Sequence, residues 1–247
     1  MIKHSLHIGI NHVSVTAYNG WAGELSGCIN DAITMKALIK PDGFCQMLFN
    51  ENATFDNIVK GFNTLAKIVK QDDKVFITFS CHGTQIPDIN KDEKDKLDEA
   101  LCLYDGLLVD DQLGKLIKLL NCNVYVISDS CHSGTISKAA AFFGSIGKTK
   151  AMPKWVMEID IPMHEVKEAG TFKPNVLTFA ACQDNEVSYD LGTNGAFTKA
   201  LYDVFTTHLN ITYSDLVLKI KRMLKGSQTP KLSYLTEKKI VKEKAFK

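Results

Sequence analysis

The chain has 247 residues, 45% of them hydrophobic and 23% charged, which suits a large α/β domain with a substantial buried core. Its 29 Lys and Arg against 28 Asp and Glu leave a formal net charge of +1, so nothing in the balance points to nucleic acid or a membrane surface as a partner. No apolar run approaches the ~20 residues of a membrane span, and the opening MIKHSLHIGINHVSV is too polar and too alternating for a signal peptide. A cytoplasmic location is expected, with no prodomain ahead of the first strand. Cys28, Cys45, Cys81, Cys102, Cys122, Cys131 and Cys182 form an odd set without a tight framework of spacings. They are expected to be reduced, with Cys45, Cys102 and Cys122 as small core hydrophobes.

Strand-like and helix-like periods alternate along the chain, the pattern of a mostly parallel sheet covered by helices. His4–Asn11 reads as the first strand. A glycine-rich loop, Tyr18–Gly27, leads to a helix at Ile29–Ile39, stopped by Pro41 and Gly43. Cys45–Phe49 is a short strand, and Thr54 N-caps a helix carrying Ile58, Phe62, Leu65 and Ile68 on one face. The run KVFITF (Lys74–Phe79) is a buried strand ending in Ser80-Cys81-His82-Gly83. An acidic, lysine-rich loop occupies Asp88–Glu99, and Asp110 or Asp111 caps a helix running to Leu120.

NVYVIS (Asn123–Ser128) is a second buried strand, ending in Asp129-Ser130-Cys131-His132-Ser133-Gly134. Residues 135–173 lack periodicity and read as a long exposed loop. VLTFAA (Val176–Ala181) is a further strand, followed by helices at Ala196–Thr207 and Tyr213–Leu224 and a last strand at Leu232–Leu235.

Two strands thus end in a reactive side chain followed by small residues, and ligands of open α/β sheets bind beyond the carboxyl ends of strands. If the strands are neighbours, His82 and Cys131 face one crevice. A cysteine attacks a carbonyl as its thiolate, and a nearby imidazole can take the proton. Gly83 allows close backbone approach, and the N–H groups of Gly83 and Cys131 are candidates for an oxyanion hole. The spacing of the two Cys-His pairs fits no common zinc pattern.

SCHGTQ (Ser80–Gln85) and DSCHSGT (Asp129–Thr135) resemble motifs of the caspase-like clan, in particular metacaspases and the related bacterial and archaeal orthocaspases of peptidase family C14. The His–Cys separation is about the ~50 residues of that arrangement. LSGCINDA (Leu25–Ala32), DEALCLYD (Asp98–Asp105), LLVDDQL (Leu107–Leu113), TFAACQDNEVSYD (Thr178–Asp190), GAFTKAL (Gly195–Leu201) and QTPKL (Gln228–Leu232) extend the resemblance over nearly the whole chain. It implies a single caspase-like domain over 1–247 with the caspase-haemoglobinase fold, a mostly parallel six-stranded sheet flanked by helices. Within it, about 1–134 form a larger catalytic part, 135–173 a loop and processing region, and 174–247 a smaller C-terminal part.

The same resemblance implies a cysteine endopeptidase with a Cys131–His82 dyad and an acidic pocket made by Cys28, Asp31, Ser80 and Asp129. Two carboxylates in a partly desolvated pocket attract Lys or Arg and penalise an acidic side chain. The only arginine, Arg222, matches no motif that would read aspartate. No cofactor is needed for the chemistry, and calcium is a candidate activator through Asp98, Asp110 and Asp111. The fourth expected aspartate, around Lys138, is absent. An EF-hand at Asp88–Glu99 is rejected, because Glu93 stands where that loop needs Gly. Related enzymes cut themselves after the nucleophile, and Lys138, Lys148, Lys150, Lys154 and Lys167 are the candidate sites. The expected partners are protein or peptide substrates, with a monomer rather than a caspase-type dimer. The competing reading is a non-catalytic caspase-like regulatory or interaction domain.

Overall fold

The computed structural model describes residues 1–88, 96–131, 147–158, 161–167, 170–183 and 186–247. The first half contains β1 (Lys3–Gly9), α1 (Cys28–Ile39), β2 (Cys45–Phe49), α2 (Phe55–Ile68) and β3 (Lys74–Ser80). Next come β4 (Gly83–Pro87), β5 (Leu97–Leu103), β6 (Gly106–Val109), α3 (Asp110–Ile117) and β7 (Asn123–Asp129). The remainder holds β8 (Lys148–Thr149), β9 (Asn175–Ala180), β10 (Tyr189–Asp190), α4 (Ala196–Thr207), α5 (Tyr213–Met223) and β11 (Lys231–Leu235).

Six strands make one sheet in the order β11-β9-β7-β3-β1-β2. All neighbours are parallel except β11, which pairs antiparallel with β9. This is the expected α/β caspase-like architecture. The runs read as buried strands are central, and both faces of each are covered. Val75, Ile77 and Phe79 of β3 pack with Ile58, Phe62 and Leu65 of α2 and Leu116 of α3. The alternate residue Phe76, with Tyr125 and Ile127 of β7, packs with Met35 of α1, Phe197 and Leu201 of α4, and Leu216 of α5. Period-2 alternation therefore assigns Ser80 and Asp129 to the face covered by α1 and α4.

Thr54 caps α2 as expected, its Oγ1 accepting from Asn57 N–H at 3.3 Å. α1 has no side-chain cap of its own. Instead Asn11 Oδ1 accepts from the N–H groups of Cys28 and Ile29 at 2.9 and 3.3 Å, and Asp190 Oδ2 accepts from Gly27 N–H at 3.2 Å. Donors left open at the helix start are thus satisfied from remote segments.

Four expectations are corrected. β4, β5 and β6 form a separate three-stranded antiparallel sheet, so Asp98 and Glu99 lie on a strand rather than in the acidic loop. The N-cap of α3 is Val109, with Asp110 and Asp111 in the first turn, where negative charge suits the helix dipole without a cap bond. Cys45 is exposed, because β2 is the outer strand of the sheet, whereas the other six cysteines are buried; all seven are free thiols. Residues 147–152 are not an exposed loop: β8 pairs with β10, and Lys150 and Met152 are buried.

Candidate active site

Register positions the site. β3 and β7 pair in parallel with Ser80 opposite Asp129, so His82 and Cys131 each lie two residues beyond a matched pair. Their backbones touch: a Cβ on Gly83 would fall 2.0 Å from the Cys131 carbonyl oxygen. Only glycine lets the two motif segments meet this closely.

His82 is buried, and its Nε2 lies 3.0 Å from Gly23 O. A carbonyl only accepts, so Nε2 carries the proton and Nδ1 of the neutral ring keeps its lone pair. That Nδ1 is buried without a hydrogen-bond partner, and the backbone of Lys150 is within reach of the ring. Burial drives the His82 pKa down to about 4, against the pull of the Gly23 carbonyl, so the ring is neutral at pH 7. Trp21 lies against it with ring centroids 4.7 Å apart. Cys131 is buried, its thiol donating to Ser188 O at 3.3 Å and accepting from Ser188 N–H.

The pocket residues inferred from the motifs come together around a side chain assigned elsewhere. Lys150 is fully buried. Its Nζ lies 2.9 Å from Asp31 Oδ2, 2.9 Å from Ser80 Oγ, 3.1 Å from Asp129 Oδ1 and 3.2 Å from Asp129 O. Burial alone would lower the Lys150 pKa, but Asp129 and Asp31 hold it well above its ordinary value. Burial pushes the Asp31 carboxyl up, against the opposing pull of Lys150. Cys28 is buried near this cluster, its thiol pushed up to about 12 by burial and held down in part by Lys150.

The carboxylates have further partners that the motifs did not reveal. Asp31 Oδ1 accepts from Asn194 Nδ2 at 2.9 Å and Gly195 N–H at 2.8 Å. Asp129 Oδ1 accepts from Ser188 Oγ at 2.6 Å, and its Oδ2 accepts from Thr198 N–H at 3.0 Å and Thr198 Oγ1 at 2.7 Å. Gly195 and Thr198 open α4, whose free N–H groups favour negative charge. The legible signal was GAFTKAL itself: a small residue and a hydroxyl at a helix start.

The main chain around Lys150 is bonded on both sides. Lys150 N–H donates to Ser188 O, Gly83 N–H donates to Lys150 O, and Met152 N–H donates to Gly83 O, each at 2.9 Å. The candidate oxyanion donor of Gly83 is therefore on the carbonyl of Lys150. Lys148 is exposed, with Nζ 2.9 Å from Glu24 O. Lys154 and Lys167 are exposed, and Lys138 lies outside the described residues.

Among the described residues no three His, Cys, Asp or Glu side chains converge as a metal site. Asp98 is buried on β5. The Asp110 carboxyl is raised to about 6 by burial, with Glu99, Asp111 and Asp98 adding to the shift. Among the described residues no helix is long and apolar enough to cross a membrane.

A family model of the caspase domain, Peptidase C14, matches residues 3–241. Metacaspase-1 of Plasmodium falciparum is 30% identical over 99% of this chain, which spans 41% of that relative. Metacaspase-1 of Schizosaccharomyces pombe is 27% identical over 94% of the chain and 67% of its own length. Metacaspase-2 of Trypanosoma brucei brucei is 27% identical over 93% of the chain and 72% of its own length. The crystal structure of protein GSU0716 from Geobacter sulfurreducens superposes with a TM-score of 0.82 at 32% identity, covering 100% of this chain and 98% of that one. Sheet order, strand-end motifs and sequence agree, and the chain belongs to the caspase-domain family of cysteine peptidases.

Proposed function

We propose that the chain is a cysteine endopeptidase of metacaspase type that cuts after Lys or Arg, with Cys131 as nucleophile and His82 as proton carrier. The observation that carries this reading is Lys150. Its ammonium is ringed by Asp31, Asp129 and Ser80 while its carbonyl accepts from Gly83 N–H. A segment bound in that way resembles the acyl side of a substrate, with Lys150–Ala151 as the bond to be cut.

In the reaction, Cys131 Sγ adds to the substrate carbonyl carbon, and the oxyanion is taken by the N–H groups of Gly83 and Cys131. His82 Nδ1 accepts the thiol proton and passes it to the departing amine. The bond from Nε2 to Gly23 O and the Trp21 ring hold the imidazole in that orientation. Water then releases the acyl group from Cys131, with His82 as base. Lys fills the pocket as a point charge on several acceptors; Arg would bridge Asp31 and Asp129 with its planar fork.

Self-processing is part of the proposal, and Lys150 is the preferred site over Lys148, Lys154 and Lys167. Calcium is proposed as an activator only: Asp98, Asp110 and Asp111 offer oxygen donors, but their arrangement is not a formed site, and no step of cleavage runs through the ion. The remaining elements are a monomer acting on protein substrates in the cytoplasm. The outer strand β11 begins with Lys231, a charge that discourages edge pairing, and the thiols are free.

The test is to compare wild type with Cys131→Ala on short peptides bearing Lys, Arg or Asp before the cleavable bond, with calcium and with a chelator. Wild type alone should cut the Lys and Arg peptides and release a fragment beginning at Ala151. Equal turnover by Cys131→Ala, or a preference for Asp, refutes the reading. Failure of an active-site thiol probe to label Cys131 would favour the non-catalytic alternative.

A further inference from the structure

Cys182 is a second thiol at the site that the cleavage chemistry leaves unused. β7 and β9 run parallel with Ser128 opposite Ala180, so Cys131 and Cys182 follow that pair by three and two residues beyond adjacent strands. Ala181 N–H donates to Ser128 O at 2.9 Å, which keeps the two backbones side by side past the strand ends. Cys131 and Cys182 pack in one small cluster with Val187, Tyr189 and Ala196, and their thiols are hydrogen-bonding neighbours. Cys182 Sγ is also held by Ser130 O and Glu186 O, each at 3.6 Å. Cys81 and Cys102 lie in a different cluster of buried residues.

We propose that Cys131 and Cys182 are a disulfide-forming pair, in which Cys182 resolves the sulfenic acid that peroxide makes on Cys131. The Cys131 thiolate attacks hydrogen peroxide, the O–O bond breaks, and the products are the sulfenic acid and hydroxide. The Cys182 thiol then attacks the Cys131 sulfur, an S–S bond forms, and the S–O bond breaks to release water. Overall, two thiols and one peroxide give one disulfide and two waters, a two-electron oxidation of sulfur matched by reduction of peroxide. The link removes the attacking sulfur, and a dithiol restores it. A thiol without such a neighbour runs on to the sulfinic acid, which dithiols do not reverse. The effect on cleavage rests on the proposed function; the cross-link itself does not.

The experiment exposes the full-length wild-type chain and its Cys182→Ala and Cys182→Ser variants to hydrogen peroxide, with intact mass and peptide mapping as readouts. Wild type should lose about 2 Da, yield a peptide pair joined through Cys131 and Cys182, and recover on dithiothreitol. Both variants should instead gain about 32 Da at Cys131, without recovery. A wild-type protein that forms no such linked pair overturns the proposal, whether Cys131 stays reduced or is over-oxidised. The wild-type mapping stands even if a variant fails to fold. A cross-link in a chain without peptidase activity would uphold this proposal and reject the proposed function; peptidase activity without the cross-link would do the reverse.

Discussion

Asp129→Asn changes one atom of the pocket and leaves no acceptable orientation for the new amide. Asp129 Oδ1 faces Ser188 Oγ at 2.6 Å and Lys150 Nζ at 3.1 Å, and Oδ2 faces Thr198 N–H at 3.0 Å and Thr198 Oγ1 at 2.7 Å. The hydroxyls can turn to accept, but the ammonium and the backbone N–H cannot. An amide NH2 therefore confronts a donor in either flip, and the negative charge is lost as well. A charge-assisted bond contributes about 1.5–3 kcal/mol, and a buried donor left unpaired costs about 1–3 kcal/mol. The sum is roughly 2.5–6 kcal/mol, or about 10²–10⁴ in kcat/KM for Lys peptides at 1.36 kcal/mol per decade. The assay is kcat/KM on matched peptides with Lys, Arg or Gln before the bond, with a thermal melt to verify folding. The Lys-over-Gln preference should collapse. A folded Asp129→Asn protein within threefold of wild type on Lys peptides would refute the pocket assignment.

Gly195→Ala is a second, purely steric probe, since its φ of −65° suits any residue. The added Cβ would lie 2.2 Å from Asp129 Oδ2 and 2.5 Å from Lys150 Nζ. Overpacking of about 2 kcal/mol should cut kcat/KM on basic peptides roughly 30-fold, with unchanged values refuting the contact. Asp110→Asn addresses the acidic cluster. The folded Asp110 carboxyl titrates near 6, above its ordinary 3.8, so the folded state binds the extra proton between those values. The contribution of Asp110 to stability is then fully present below about pH 4 and is lost as pH rises through 6. In chelator, the Asn variant should be about 1 kcal/mol more stable at pH 7.5, a figure discounted for partial exposure, with the difference gone near pH 3.5. Urea melts at the two pH values read this directly, and an equal difference at both would refute it.

The six-stranded sheet was legible because its central strands, KVFITF and NVYVIS, are apolar on both faces and end in short reactive motifs. The site followed from those ends, since parallel register alone places Ser80 opposite Asp129. The β4–β6 sheet was not legible. Its strand β5 begins inside a charged stretch, and Asp98 is buried there by tertiary contacts that no local period encodes. Cys45 misled in the opposite direction, since a residue in an apolar run is exposed when its strand is the outermost one. Lys150 was named only as one lysine among several in a region without periodicity. What singles it out is the convergence of three remote segments on one ammonium, around Asp31, Ser80 and Asp129.

That convergence constrains how the proposed enzyme can be switched on. One ammonium against two buried carboxylates leaves an excess negative charge, which the α4 N–H groups of Gly195 and Thr198 help to stabilise. An emptied pocket is therefore costly, and a basic side chain or water must replace Lys150 as it leaves. A cut after Lys150 would not by itself empty the pocket. Lys150 would stay covalently joined to Cys131 through the preceding residues, and β8 would keep its pairing with β10. A tethered occupant competes at an effective concentration in the millimolar range, well above that of a dilute substrate. The cut does add a carboxylate at the C-terminus of Lys150, at the carbonyl position already bonded to Gly83 N–H. Loss of the Met152–Gly83 bond once Ala151 and Met152 are free to leave weakens the hold of the cut end. On this reading, self-cleavage activates by making an intramolecular occupant easier to displace.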